Sequence, residues 1–218
     1  MTTRIAVALE AASKKTFATA LDWPGWSRSG KTGDLALEAL AAYAARYRAI
    51  AVAAGETLSD DLSYAVVETA EGGSGTEFGV PGRVTDRDRR PTTAADADRL
   101  ARLVRAVWDQ FDRTAAAAPA ELRKGPRGGG RDTAKMVGHV LEADAAYARE
   151  IGVRVRPPAP DDREAVAAMR AAMLDVLRRS SDGSPLADRK WTARYAAHRI
   201  AWHALDHAWE IEDRSEPA

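Results

Sequence analysis

The sequence predicts an α+β protein: a small β-β-α unit followed by an up-down bundle of four helices. Three observations predict it. Two short, partly alternating apolar segments open the chain, four long stretches of helical periodicity fill everything after residue 93, and a Pro- and charge-rich stretch lies between them. The 218 residues divide on this basis into a unit over 1–85, a linker over 86–93 and a bundle over 94–218.

Residues 4–10 and 16–22 are separated by Ala12-Ser13-Lys14-Lys15 and read as an antiparallel pair joined by a turn. Trp23-Pro24-Gly25-Trp26 ends the second strand, because proline cannot donate to a ladder and glycine permits a sharp reversal. Leu37, Leu40, Ala41, Ala44 and Tyr47 recur at helical spacing and predict a helix over 35–53, with Asp34 as its N-cap. Tyr64 to Thr69 reads as another strand, and Gly72-Gly73-Ser74-Gly75 as a flexible loop. The linker carries the charge run Asp86-Arg87-Asp88-Arg89-Arg90 and Pro91.

Beyond it, helices are predicted over about 95–118, 132–151, 161–180 and 187–212. The breaks between them are marked by Pro119, by Gly125-Pro126-Arg127-Gly128-Gly129-Gly130, by Pro157-Pro158-Ala159-Pro160 and by Asp182-Gly183-Ser184-Pro185.

Composition narrows the chemistry. A hydrophobic content of 45% can fill a core. Basic and acidic side chains number 32 each, and neither half is cationic, so no broad field exists to hold nucleic acid or an anionic membrane. There is no cysteine, which excludes disulfides, thiolate metal sites and a cysteine nucleophile. The start of the chain lacks a long apolar segment, and no apolar run reaches the roughly 18 residues that span a bilayer, so a soluble, cytoplasmic protein is expected. Metal chemistry would fall to His, Asp and Glu.

Only four histidines occur, and three lie between residues 198 and 207. At 100° per residue His203 and His207 sit about 40° apart on one helical face, with Glu210 on the same stripe; His198 falls on the side of Trp202 and Trp209. His139 belongs to the second helix of the bundle, on a stripe with Met136, Ala143 and Ala146. Were the second and fourth helices neighbours, His139, His203 and His207 would offer three nitrogens to one divalent ion and leave a position open, the arrangement of a catalytic ion. An i, i+4 histidine pair is also often mere surface decoration or a hydrogen-bonded core pair. Glu210 would orient an imidazole, act as a fourth ligand or form a helix-terminal ion pair. Asp206 and Glu142 are further candidate acceptors for the imidazoles. Tyr147 and Glu210 are the candidates for proton transfer. Trp202 and Trp209 read as core or as a contact between the two halves.

The region from about residue 94 to Arg214, with His139 in Val137-Gly138-His139-Val140-Leu141-Glu142-Ala143 and the pair in Trp202-His203-Ala204-Leu205-Asp206-His207, resembles the DinB/YfiT-like superfamily of metalloenzymes. The resemblance implies a four-helix bundle in which a histidine on the second helix and an H-x-x-x-H on the fourth bind a divalent metal, usually zinc or nickel. It also implies frequent homodimerisation and thiol-dependent transferase or hydrolase activity on a small-molecule substrate, the low-molecular-weight thiol often being mycothiol. Residues 4–70 more weakly resemble the HicB-type antitoxin domain, through Phe17-Ala18-Thr19-Ala20-Leu21-Asp22-Trp23-Pro24-Gly25-Trp26 and the helix containing Glu38-Ala39-Leu40. Here tryptophan flanks Pro24-Gly25 on both sides and a basic DNA-binding tail is missing.

Three functions therefore compete. The first is a metal-dependent enzyme whose thiol nucleophile, in a chain without cysteine, comes from a cosubstrate. The second is a non-catalytic binding or regulatory protein whose HicB-like domain recognises a protein partner. The third is a bundle that keeps its histidines as a buried hydrogen-bonded cluster.

Overall fold

A computed structural model describes residues 2–124 and 132–215, and the fold is mixed α+β. Strand β1 (Thr3–Ala11) pairs antiparallel with β2 (Thr16–Ala20), Val7 opposite Ala20, and β2 pairs antiparallel with β3 (Ser27–Gly30). The chain then crosses through α1 (Gly33–Ala42) and α2 (Ala44–Ala53) to β4 (Leu62–Glu71), which lies parallel to β1 and gives the sheet order β3-β2-β1-β4. Parallel neighbours need such a long crossover, whereas β1 and β2 need only a turn.

Three expectations change in this half. Thr32 caps α1: its backbone is extended and its hydroxyl accepts from the N–H of Leu35, so Asp34 lies inside the first turn instead. The helix expected over 35–53 breaks at Tyr43, where ψ falls to 2° and the N–H turns to the carbonyls of Ala41 and Leu40. The break sets the Tyr43 ring against Trp209, while Tyr47 stacks on Trp26 with ring centres 5.0 Å apart. The glycine-rich stretch does not remain a loop, since Ser74–Phe78 forms a short helix, α3, ended by Gly79 in the left-handed region.

Four longer helices follow: α4 (Ala94–Ala117), α5 (Thr133–Glu150), α6 (Arg163–Leu177) and α7 (Ala193–Ser215). Thr93 and Asp96 form a reciprocal capping box at the start of α4, and Asp162 caps α6. The last helix begins at 193, not 187. Ala187 and Asp188 adopt positive φ in a single 3₁₀ turn, and the Thr192 hydroxyl caps the helix by accepting from Tyr195. The expected glycine-rich break at 125–130 lies outside the described residues. Among the described residues no helix is long and apolar enough to cross a membrane.

One hydrophobic core runs through both halves. Ile5, Val7, Trp26, Leu40 and Tyr47 belong to the same buried cluster as Val104, Phe111, Met136, Met173 and Ile200. The Trp26 indole donates to the carbonyl of Leu40, and the Tyr47 hydroxyl donates to that of Pro24, so the large rings bury their polar tips already bonded. The segment over 86–93 has no helix or strand, yet Thr85 and Asp88 form a buried hydrogen-bonded turn and Thr92 exchanges two backbone hydrogen bonds with Ser181.

Helix α7 is the element on which the halves meet. Its His198 bonds the carbonyl of Leu21 at 3.0 Å, Trp202 meets the edge of Phe17, Asp206 pairs with Arg28 at 2.9 Å and Trp209 packs on Tyr43. These positions share one stripe of the helix. The stripe beside it carries Arg199, His203, His207 and Glu210, and the rings of His203 and His207 meet His139 on α5.

Candidate metal centre

The i, i+4 spacing on α7 brings the rings of His203 and His207 to 4.7 Å between centres, nearly perpendicular. His139 on α5 completes a triangle, with its ring 5.0 Å from each of the others. One nitrogen from each ring lies within 4.8 Å of the other two, and the Nε2 atoms of His139 and His203 are 3.2 Å apart. Two imidazole nitrogens bound tetrahedrally to one ion at ~2.1 Å would stand about 3.4 Å apart. The donor set therefore fits a divalent cation of the kind that favours imidazole, zinc and nickel among them. His203 is buried, and His139 and His207 are partly exposed.

Glu210 is placed to orient the set. Its Oε2 lies 2.9 Å from Nδ1 of His207 and its Oε1 2.6 Å from Arg214. A carboxylate accepting from Nδ1–H fixes the tautomer and leaves Nε2 as the free donor nitrogen. Asp206, the other acceptor considered on α7, is turned to Arg28; burial pushes its carboxyl up against the opposing charge of Arg28. Glu142 is exposed. His198 stands apart on the carbonyl of Leu21.

Tyr147, two turns beyond His139 on α5, sets its ring perpendicular to that of His203 at 5.7 Å. Burial raises its hydroxyl pKa, and the charge of Arg199 opposes the shift. Trp191 closes the other side of the Tyr147 ring at 5.2 Å. Arg28, from the edge strand β3, lies 4.0 Å above the Tyr43 ring and, with Asp206, Glu210 and Arg214, lines an open basin of about 440 Å³. Sequence reasoning named neither Arg28 nor Arg199. Arg199 had a signal, standing four residues before His203 in an Arg-x3-His-x3-His stripe; Arg28 had none, because it reaches α7 across 178 residues of chain.

The arrangement could hold a divalent ion and sets a carboxylate and a phenol beside it as groups able to handle a proton. Compared with known proteins, this chain matches no family model, no curated protein and no solved structure.

Proposed function

We propose that the protein is a divalent-metal-dependent enzyme of the DinB-like type, with α4–α7 as its four-helix bundle, acting on a small-molecule substrate as a thiol-dependent transferase or hydrolase. The observation that carries this reading is the convergence of His139, His203 and His207, with two Nε2 atoms 3.2 Å apart. A divalent ion held there would lower the pKa of a water or thiol toward neutrality.

The chain's own residues take the remaining roles. Glu210 holds His207 in one tautomer, and Tyr147 stands beside His203 as the proton donor to a leaving group. With no cysteine in the chain, a thiol nucleophile is brought by a cosubstrate such as mycothiol. The HicB-like unit over the first 85 residues serves here as a wall of the site, a role supported by the reach of Arg28 to Asp206. A cytoplasmic homodimer is the proposed working form.

The test is elemental analysis of untagged protein. About one zinc or nickel ion per chain is expected in the parent and none in the His139→Ala/His203→Ala/His207→Ala variant. Equal metal in both would end the proposal. A screen of low-molecular-weight thiols with electrophilic substrates then identifies the reaction.

A further inference from the structure

Partly buried arginines in this protein lie against carboxylates. Arg28 pairs with Asp206, Arg46 with Glu212, Arg99 with Glu56, Arg170 with Asp112 and Arg214 with Glu210. Arg199 does not. Its guanidinium carbon sits 4.8 Å from the centre of the Trp202 ring and 5.4 Å from that of Tyr147, and its one hydrogen bond to backbone is a long one, 3.4 Å, to the carbonyl of Pro81. Two aromatic faces orient the cation without neutralising it.

The position matters because Arg199 precedes His203 by one helical turn, about 6 Å along α7, on the stripe that carries the histidines. The Tyr147 ring that it covers is the same ring that abuts His203. Arg199 also lines a partly open cavity of about 50 Å³ between α7 and the sheet, walled by Trp202, Tyr195, Leu21 and Ala8. That is room for roughly three waters, or for one carboxylate with the carbon that bears it.

Two acids face the same cavity, and both accept from other donors. Glu10 accepts from the Thr76 hydroxyl and from the N–H groups of Gly82 and Arg83, and Asp88 from the N–H and hydroxyl of Thr85. Neither forms an ion pair with Arg199. Arg83 lines the cavity as well but turns its Nε to the carbonyl of Glu71, which leaves the Arg199 guanidinium, held between rings, as a cation available to a ligand.

Resting on the metal-enzyme reading, we infer that Arg199 is the specificity-determining residue of the site and that the substrate carries a carboxylate, bound by Arg199 about one helical turn from the group that reacts beside the histidines. This places the substrate among small organic acids.

The test uses the full chain without added metal, because carboxylates also ligate zinc directly. Acetate, propanoate and benzoate are titrated against the matching amides, with Trp202 fluorescence and calorimetry as readouts. Carboxylates are expected to bind and amides not to. Arg199→Gln should weaken carboxylate binding tenfold or more, Arg199→Lys should retain part of it, and the zinc affinity of both variants should equal the parent's. Equal binding of acid and amide, no binding of any acid, or an Arg199→Gln variant that binds like the parent would each overturn the assignment. Zinc affinity, measured separately, tells its failure apart from failure of the metal site. Should Arg199→Gln not fold, the Lys variant and the acid–amide comparison in the parent still decide.

Discussion

Nε2 of His139, on α5, lies 3.2 Å from Nε2 of His203, on α7, although 64 residues separate them in the chain. Two neutral imidazoles meet at this distance either with one ring donating to the other or with both lone pairs aimed at a shared cation. The third ring at 5.0 Å and the carboxylate behind it support the second arrangement, the one proposed above. The predictions begin from that pair and move outward.

In the proposed metal site Glu210 would act on the ion through His207. Replacing it as Glu210→Gln keeps the shape, removes the charge and weakens the preference for Nδ1–H, so metal affinity should fall by about 10–100-fold while stoichiometry stays the same. Competition against a chelator of known affinity measures this. An unchanged affinity would reduce Glu210 to the ion-pair partner of Arg214.

Asp144 is fully buried on α5, and neither of its oxygens finds a donor at normal geometry; the Nε of Arg170 stands 3.9 Å away. Burial pushes its carboxyl up to about 7, against the opposing charge of Arg170. A raised acid binds its proton in the folded state over a range where the unfolded chain has released it. Its contribution is therefore full below about pH 4 and is lost as pH rises through about 7. Asp144→Asn cannot ionise, so its stability relative to the parent should rise between pH 5 and pH 8 by about 1 kcal/mol or more. Urea midpoints at the two pH values test it, and parallel shifts in both proteins would contradict it.

Gly25 and Gly55 both sit at positive φ, 91° and 75°. A Cβ on Gly55 meets open space, whereas one on Gly25 comes 3.1 Å from the backbone of Ala201 on α7. Gly55→Ala should cost only backbone strain, about 1 kcal/mol, and Gly25→Ala about 1–3 kcal/mol more through the contact between halves. Denaturant titration of both variants separates the two contributions. Equal costs would mean that the contact at Ala201 yields freely.

Removing the first 93 residues would uncover Trp202 and Trp209, which are 6% and 2% exposed in the whole protein. The fragment 94–218 should bind a hydrophobic dye, aggregate and lack a cooperative melt, while the whole chain unfolds in one transition. A monodisperse fragment with a sharp melt would show that the helices fold without the sheet.

Periodicity made much of the architecture legible. Alternation marked β1 and β2, and the 3.6-residue period placed α4, α5 and α6 within a few residues of their observed spans, because both patterns are local consequences of backbone geometry. It did not reveal the break at Tyr43 or the late start of α7. The first brings a ring against Trp209, far along the chain, and the second follows from two residues held at positive φ.

By itself the sequence determined the mixed α+β class, the stripe on α7 that carries His203, His207 and Glu210, and the absence of any thiol to compete with imidazole. Those are properties of spacing and composition, and a helix expresses them wherever it sits. Only the tertiary structure decided that His139 faces that stripe, that Arg28 from an edge strand meets Asp206, and that Arg199 stands between two rings. Each of these depends on which helix and strand faces pack together, and burial of apolar surface drives that choice without regard to distance along the chain.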